Sequence, residues 1–365
     1  MPLTPEEITD AIAELQAADG RRRIGAAQAG RGFTNEWCFF FKPSTTGTVA
    51  RPGLKNTVGL ALDLFDRDGM AIIEAHAISP GYMSTHRLAL RNYRELVELA
   101  MCASALPADN PVLRATPDVD RVLGAYEALA QLELDIPELD RIWYSAVHFR
   151  LGRAAIAAVV PVAGERVLLV NGFIPGQVNT YGQPGTVTVV LRLASDLSWS
   201  AARHRLLGAT NPANAVPGSF RYELWARREE IGLPRVDFNW NGAHLSAGPL
   251  EAIYELQLLT SDDQANLRPL SDFSFGRRLL GSPALRENVD ALIPHHIPGS
   301  AIEERTARLY VQAREATENL NEPEALTVLE KLMSSGGLTK MENNGRHPFS
   351  ASDHAVRRSP AGRPL

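Results

Sequence analysis

Lysine is scarce in this 365-residue chain: Lys42, Lys55, Lys331 and Lys340 are the only four among 37 basic residues, and the rest are arginine. Cysteine is scarcer still. Cys38 and Cys102 both sit inside apolar stretches, which argues against a disulfide framework and for a reducing compartment. No apolar run is long enough to cross a bilayer, and the first twenty residues read as an acidic amphipathic helix, not as a secretory leader. Neither sign of charge dominates. A net charge of −5 offers neither a nucleic-acid footprint nor a polybasic membrane surface. The expectation is a soluble, cytoplasmic protein with no nucleic-acid and no membrane partner. At 45% hydrophobic residues the chain can bury one large core or two modest ones.

Thr4 with Glu7 has the spacing of a capping box and predicts a helix to about Ala18. Gly20 and the arginines after it read as a linker, so residues 1–32 are taken as a helix and linker. Trp37-Cys38-Phe39-Phe40-Phe41 predicts a buried strand ending at Lys42-Pro43. A loop follows, then a helix over Leu54–Phe65, a turn at Asp68-Gly69, a strand over Met70–Ile78 and a helix over Ser84–Cys102 with Met101 inward. Residues 107–166 change character and read as an insertion or subdomain, with a helix over Val119–Leu132 and strands over Ala154–Val162 and Arg166–Val170. Thr186–Leu191 is a β-branched strand, and Asp196 or Ser198 caps a helix to Leu207. An Asn-, Pro- and Ala-rich loop, Gly208–Gly218, comes next, then an extended Val236–His244 and a helix over Gly248–Leu259. Residues 262–334 read as a helical extension, including Ser300–Leu320 and Glu322–Met333, and residues 335–365 as a disordered tail.

The stretch from Leu206 to Glu255 carries the chemistry. A loop rich in Gly, Pro and Asn beside Arg221 offers backbone N–H groups and a planar cation, the groups that hold phosphate oxygens. A histidine at a strand end, His244, can attack phosphorus as neutral imidazole without first losing a proton. Glu255, eleven positions on in the following helix, can orient the ring. Each residue also has a plainer reading: a lone strand-end histidine is usually structural, Lys42 could simply reach solvent, and Thr210 and Asn241 could serve the local turns.

The run Gly208-Ala-Thr210-Asn-Pro-Ala-x-x-x-Pro217-Gly218-x-x-Arg221, followed by Asn241-x-x-His244-x-Ser246, resembles the two hallmark patterns of the nucleoside diphosphate kinase family. Upstream, Phe39–Pro43, Leu64–Met70 and Phe173–Val187 are similar to further segments of that family, in the same order. The resemblance spans 33–261, interrupted by the 107–166 block. It implies an α+β, ferredoxin-like four-stranded antiparallel sheet with helices packed on it. It further implies a ping-pong phosphotransferase in which His244 becomes phosphorylated and Glu255 positions it. Lys42, Thr210, Arg221 and Ser246 would serve the phosphates, with Arg203 and Arg205 flanking a second arginine position, and Asn241 would contact the sugar side. ATP or another nucleoside triphosphate would be the donor, and Mg2+ would be carried by the nucleotide phosphates with no metal ligands from the protein. A homo-oligomer is the family habit.

The chain departs from the family at Ser44, Leu245, Ala247 and His204, and Ile174 falls where a base-stacking phenylalanine belongs. These departures leave the acceptor open. They also keep a second reading in play, a nucleotide-binding regulatory or scaffold module without turnover.

Overall fold

The computed structural model describes residues 3–26, 32–47, 51–105, 119–151, 154–162, 164–296, 298 and 304–334. They form two compact units, one within Met1–Asn92 and Asn179–Thr339 and the other within Tyr93–Val178. The architecture is mixed α and β. The strands are β1 (Arg21–Ala26), β2 (Asn35–Phe41), β3 (Ala71–Ile78), β4 (Arg121–Gly124), β5 (Phe149–Arg150), β6 (Ile156–Val162), β7 (Glu165–Val170), β8 (Thr188–Ser195) and β9 (Ala243–Leu245). The helices that matter to the site are α1 (Pro5–Ala17), α2 (Arg51–Arg67), α3 (Phe220–Ala226), α4 (Pro249–Thr260), α5 (Glu304–Thr317) and α6 (Glu322–Ser334).

The first unit is built on a five-stranded antiparallel sheet of order β1-β3-β8-β2-β9. Side chains alternate across a strand, and β2 shows it clearly. Trp37, Phe39 and Phe41 enter one core with Ile8 and Ile12 of α1, Val58 and Phe65 of α2, and Phe220 of α3. Glu36, Cys38 and Phe40 take the opposite face, which α4 covers. On that face Arg192 of β8 bridges Glu36 and Glu74 at 2.7 and 3.2 Å, and Arg268 joins Glu74 at 2.7 Å, fastening the chain beyond α4 to the sheet.

Several expectations hold. The Thr4–Glu7 capping box opens α1, and Ser198, not Asp196, caps the helix entered at Trp199. Others are corrected. The arginine stretch read as a linker is β1, an added fifth strand on the sheet edge. Arg22 pairs with Glu14 and Arg23 with Glu74, so charged side chains are accommodated where an edge strand favours them. The Ser84–Cys102 helix is broken at Arg87, whose φ is +52°, and Met101 is exposed, not inward. The helix read over Val119–Leu132 begins as β4 and becomes helical only at Ala125. The 335–365 tail lies outside the described residues.

The second unit carries a four-stranded sheet of order β4-β7-β6-β5, with β4 parallel to β7 and the other pairs antiparallel. Asn171, at φ +54°, ties it together: its side chain accepts from Ile156 N and donates to the carbonyls of Leu96 and Ala154. No helix among the described residues is long and apolar enough to cross a membrane.

Candidate functional site

His244 lies at the centre of β9, directly opposite Phe40 of β2, so both side chains share the face away from the aromatic core. Lys42 follows Phe40 by two residues in extended conformation (φ −78°, ψ 156°), which puts its side chain on that same face. Its backbone N–H donates to Gly242 O at 2.9 Å, tying the end of β2 to the start of β9. Gly242, at φ +83°, occupies a backbone region that suits glycine.

The imidazole is held from two sides. Phe40 stacks on it, with ring centroids 4.5 Å apart and planes 19° off parallel. Nε2 is 2.7 Å from Glu255 Oε1 and 3.8 Å from Glu251 Oε1, the two carboxylates standing one turn apart on α4. No hydrogen bond to Nδ1 is formed among the described residues. Burial pushes the Glu255 carboxyl well above the usual carboxylate range; the nearby imidazole pulls it down and Glu251 pushes it further up.

The cations gather beside the histidine backbone. Arg221, in the first turn of α3, donates from Nη2 to Ala243 O at 3.0 Å and from Nη1 to Gly208 O at 3.1 Å. Lys42 Nζ donates to Asn241 Oδ1 at 2.9 Å, and Asn241 Nδ2 in turn holds Thr210 O and Phe238 O at 3.2 and 2.9 Å. Burial, with the charge of Arg221 added, lowers the Lys42 ammonium from 10.5 to about 7. Gly208 is required here: its φ is +90°, and a Cβ would stand 2.4 Å from Ser219 Oγ. The arrangement thus gathers two buried cations, the 208–221 loop and a carboxylate-held imidazole at one end of the sheet. Such a set can receive an anion and present a nitrogen nucleophile to it.

Glu255 therefore meets the His244 ring, while Lys42, Arg221 and Asn241 meet around the backbone of residues 241–243, where Thr210 joins through its carbonyl. The other expected residues are engaged differently. Ser246 is fully buried, and its Oγ accepts from Cys38 N at 3.2 Å, so it pins β9 to β2 and has no surface to offer a ligand. Arg203 donates to Glu318 and Asn319, both at 2.8 Å, and Arg205 lies 3.4 Å from Asp68. Ile174 is fully buried and presents no face for stacking. Three contributors escaped the sequence reading: Phe40, Glu251 and Arg314. Phe40 reads as part of one buried run, yet the two-residue alternation of Trp37, Phe39 and Phe41 puts it on the other face. Glu251 sits four residues before Glu255, a helical spacing that could have flagged it.

Among the described residues, His244, Glu251 and Glu255 are the one group with metal-ligating atoms close together, all within 4.8 Å. Arg314 engages Glu251 and the imidazole lies against Glu255, so each carboxylate of the group has a partner within the protein. The chain matches no protein-family model and no curated protein sequence.

Proposed function

We propose that this chain is a phosphotransferase of nucleoside-diphosphate-kinase type. It moves the terminal phosphate of ATP or another nucleoside triphosphate to a nucleoside diphosphate or related acceptor through a phosphohistidine at His244. The observation that carries the reading is the 2.7 Å approach of Glu255 Oε1 to His244 Nε2, beside a cluster in which Arg221 reaches the carbonyl of the preceding residue. A carboxylate on Nε2 favours the tautomer with the proton there, leaving the lone pair on Nδ1.

In the first half-reaction Nδ1 forms a bond to the γ-phosphorus. The bond from that phosphorus to the bridging oxygen breaks, and its electron pair leaves with the nucleoside diphosphate. In the second, a terminal phosphate oxygen of the acceptor attacks phosphorus and the N–P electron pair returns to Nδ1. No proton need leave the ring in either step. Lys42 and Arg221 offset charge on the transferring oxygens, which is where such chemistry draws most of its stabilisation. Magnesium enters as part of the nucleotide substrate. Ionic Lys42 suits an anionic ligand: phosphate oxygens near Nζ would restore the proton that burial disfavours.

The strand arrangement supports the same reading. With edge strand β1 set aside, the order β3-β8-β2-β9 is wholly antiparallel, α2 connects β2 to β3, and helical segments connect β8 to β9. We read that pattern as a ferredoxin-like sheet enlarged by the extra strand, the Tyr93–Val178 unit and the chain beyond α4.

A binding module without turnover is the second reading, favoured by the burial of Lys42 and Arg221 against protein acceptors and of Ile174 within its unit. Incubation with γ-labelled ATP separates the two. The phosphotransferase acquires acid-labile, base-stable label that His244→Ala lacks; a wild-type protein that binds nucleotide but takes no label from any triphosphate refutes it.

A further inference from the structure

Glu251 divides its two oxygens between different partners. Oε1 faces His244 Nε2 at 3.8 Å, and Oε2 accepts from Nη2 of Arg314, in the last turn of α5. Arg314 and Glu251 are 10% and 12% exposed, so water screens the pair little. The guanidinium also donates to Tyr310 Oη and lies over that ring, 5.4 Å from its centroid, which fixes its direction.

The same C-terminal end of α5, with the residues just past it, is fastened to the segment between His244 and Glu251. Asn319 N donates to Ala247 O at 2.9 Å, and Arg203 clamps Glu318 and Asn319. Gly248 has the Thr317 carbonyl so close that a Cβ would stand 2.6 Å from it. Residues 317–319 therefore rest on the backbone that leads from β9 into α4, and glycine at 248 is what admits them.

We propose that Arg314 is a positioning residue of the His244 site, acting through Glu251 to supply the cation that two adjoining carboxylates would otherwise draw from the imidazole. The inference rests on the phosphohistidine reading above. Two carboxylates beside one ring repel each other, and the pair is relieved either by a neighbouring cation or by a proton. A proton on Nδ1 would occupy the lone pair that attacks phosphorus. Arg314 supplies the charge without that loss. Among the described residues the groups facing the pair include His244 of β9, Cys38 of β2, and Arg314 and Tyr310 of α5. Cys38 is a fully buried thiol, pushed well up by burial and by the two carboxylates, and contributes no charge. Among these, Arg314 is the permanent cation. The chain beyond α4 is on this account a working part of the site, and it rests where Ala247 departs from the family pattern.

The test compares label incorporation from γ-labelled ATP across pH 5–9 in wild type, Arg314→Lys, Arg314→Met, Glu251→Gln and the double variant Glu251→Gln/Arg314→Met, with thermal melts to verify folding. Arg314→Met should lower labelling at neutral pH by about tenfold and move the acid limb of the profile up by about one pH unit. Arg314→Lys should recover part of the loss. The double variant should label faster than Arg314→Met, because without the Glu251 charge the cation is no longer needed. A merely structural arginine gives no such rescue. Labelling of Arg314→Met at the wild-type rate and profile overturns the inference, as does a folded double variant no faster than Arg314→Met. Absence of label on the wild type instead overturns the phosphohistidine reading, and this inference falls with it.

Discussion

Phe40 and His244 lie nearly parallel across the β2–β9 ladder, ring centroids 4.5 Å apart, with the aromatic face closing one side of the imidazole. A ring held on one face by Phe40 and at one edge by Glu255 keeps a single orientation, and phosphoryl transfer depends chiefly on positioning. Phe40→Leu should lower the rate of label incorporation by about 10–100-fold while nucleotide affinity changes little. Since Phe40 is only 1% exposed, the same change should cost about 1–3 kcal/mol of stability. Titration calorimetry, urea melts and labelling kinetics check the three parts; an unchanged labelling rate would show that the stack does not orient the ring.

Lys42 gives a prediction in pH. Its folded-state value, about 7, lies below its ordinary 10.5, so between those limits the unfolded chain binds a proton that the folded protein does not. The burden on stability is complete below pH 7 and lifts as pH rises towards 10.5. Lys42→Met should therefore be more stable than wild type at pH 6.5, by on the order of 1–3 kcal/mol, with the gap narrowing towards pH 10. It should also fail to take label. Chemical denaturation at both pH values checks the sign, and a variant less stable at pH 6.5 than at pH 10 relative to wild type contradicts it.

Nucleotide binding at pH 8 should be accompanied by proton uptake, since phosphate oxygens near Lys42 favour its charged form. Calorimetry in two buffers of different ionisation enthalpy reads the proton count directly. In Lys42→Met the uptake should disappear.

Glu255 runs the opposite way. Burial raises its carboxyl above 4.5, so its favourable contribution to stability is complete below that value and is lost as pH rises through the folded-state value. Glu255→Gln should flatten that part of the stability profile. It should also slow labelling by about 10²-fold, because a neutral amide holds the Nε2 proton less firmly. A wild-type labelling rate in this variant would assign the ring's orientation to Phe40 alone.

Gly208→Ala should destabilise the 208–221 loop by about 1–3 kcal/mol, since φ +90° and the contact with Ser219 Oγ leave no room for a side chain. The Gly208 carbonyl that receives Arg221 would shift with it, so labelling should fall as well. A variant with wild-type melting temperature and labelling shows that the loop adapts.

Legible in the chain were local and ordered features: the Thr4–Glu7 cap, the buried strand running from Trp37 to Phe41, the 208–221 loop, and the spacing that sets Glu255 eleven residues after His244. These are legible because capping, alternation and turn chemistry act between residues a few positions apart. The packed fold alone reveals that the arginine stretch Arg21–Ala26 is an edge strand, that Ser246 is a buried anchor, and that Arg203 is committed to Glu318. It alone paired Glu251 with Arg314, 63 positions away, and set residues 317–319 on Gly248. Such partners leave no periodic trace in the chain. An ion pair is selected by which surfaces the packed helices bring together and how fully they exclude water, and neither is a property of any stretch of sequence taken alone.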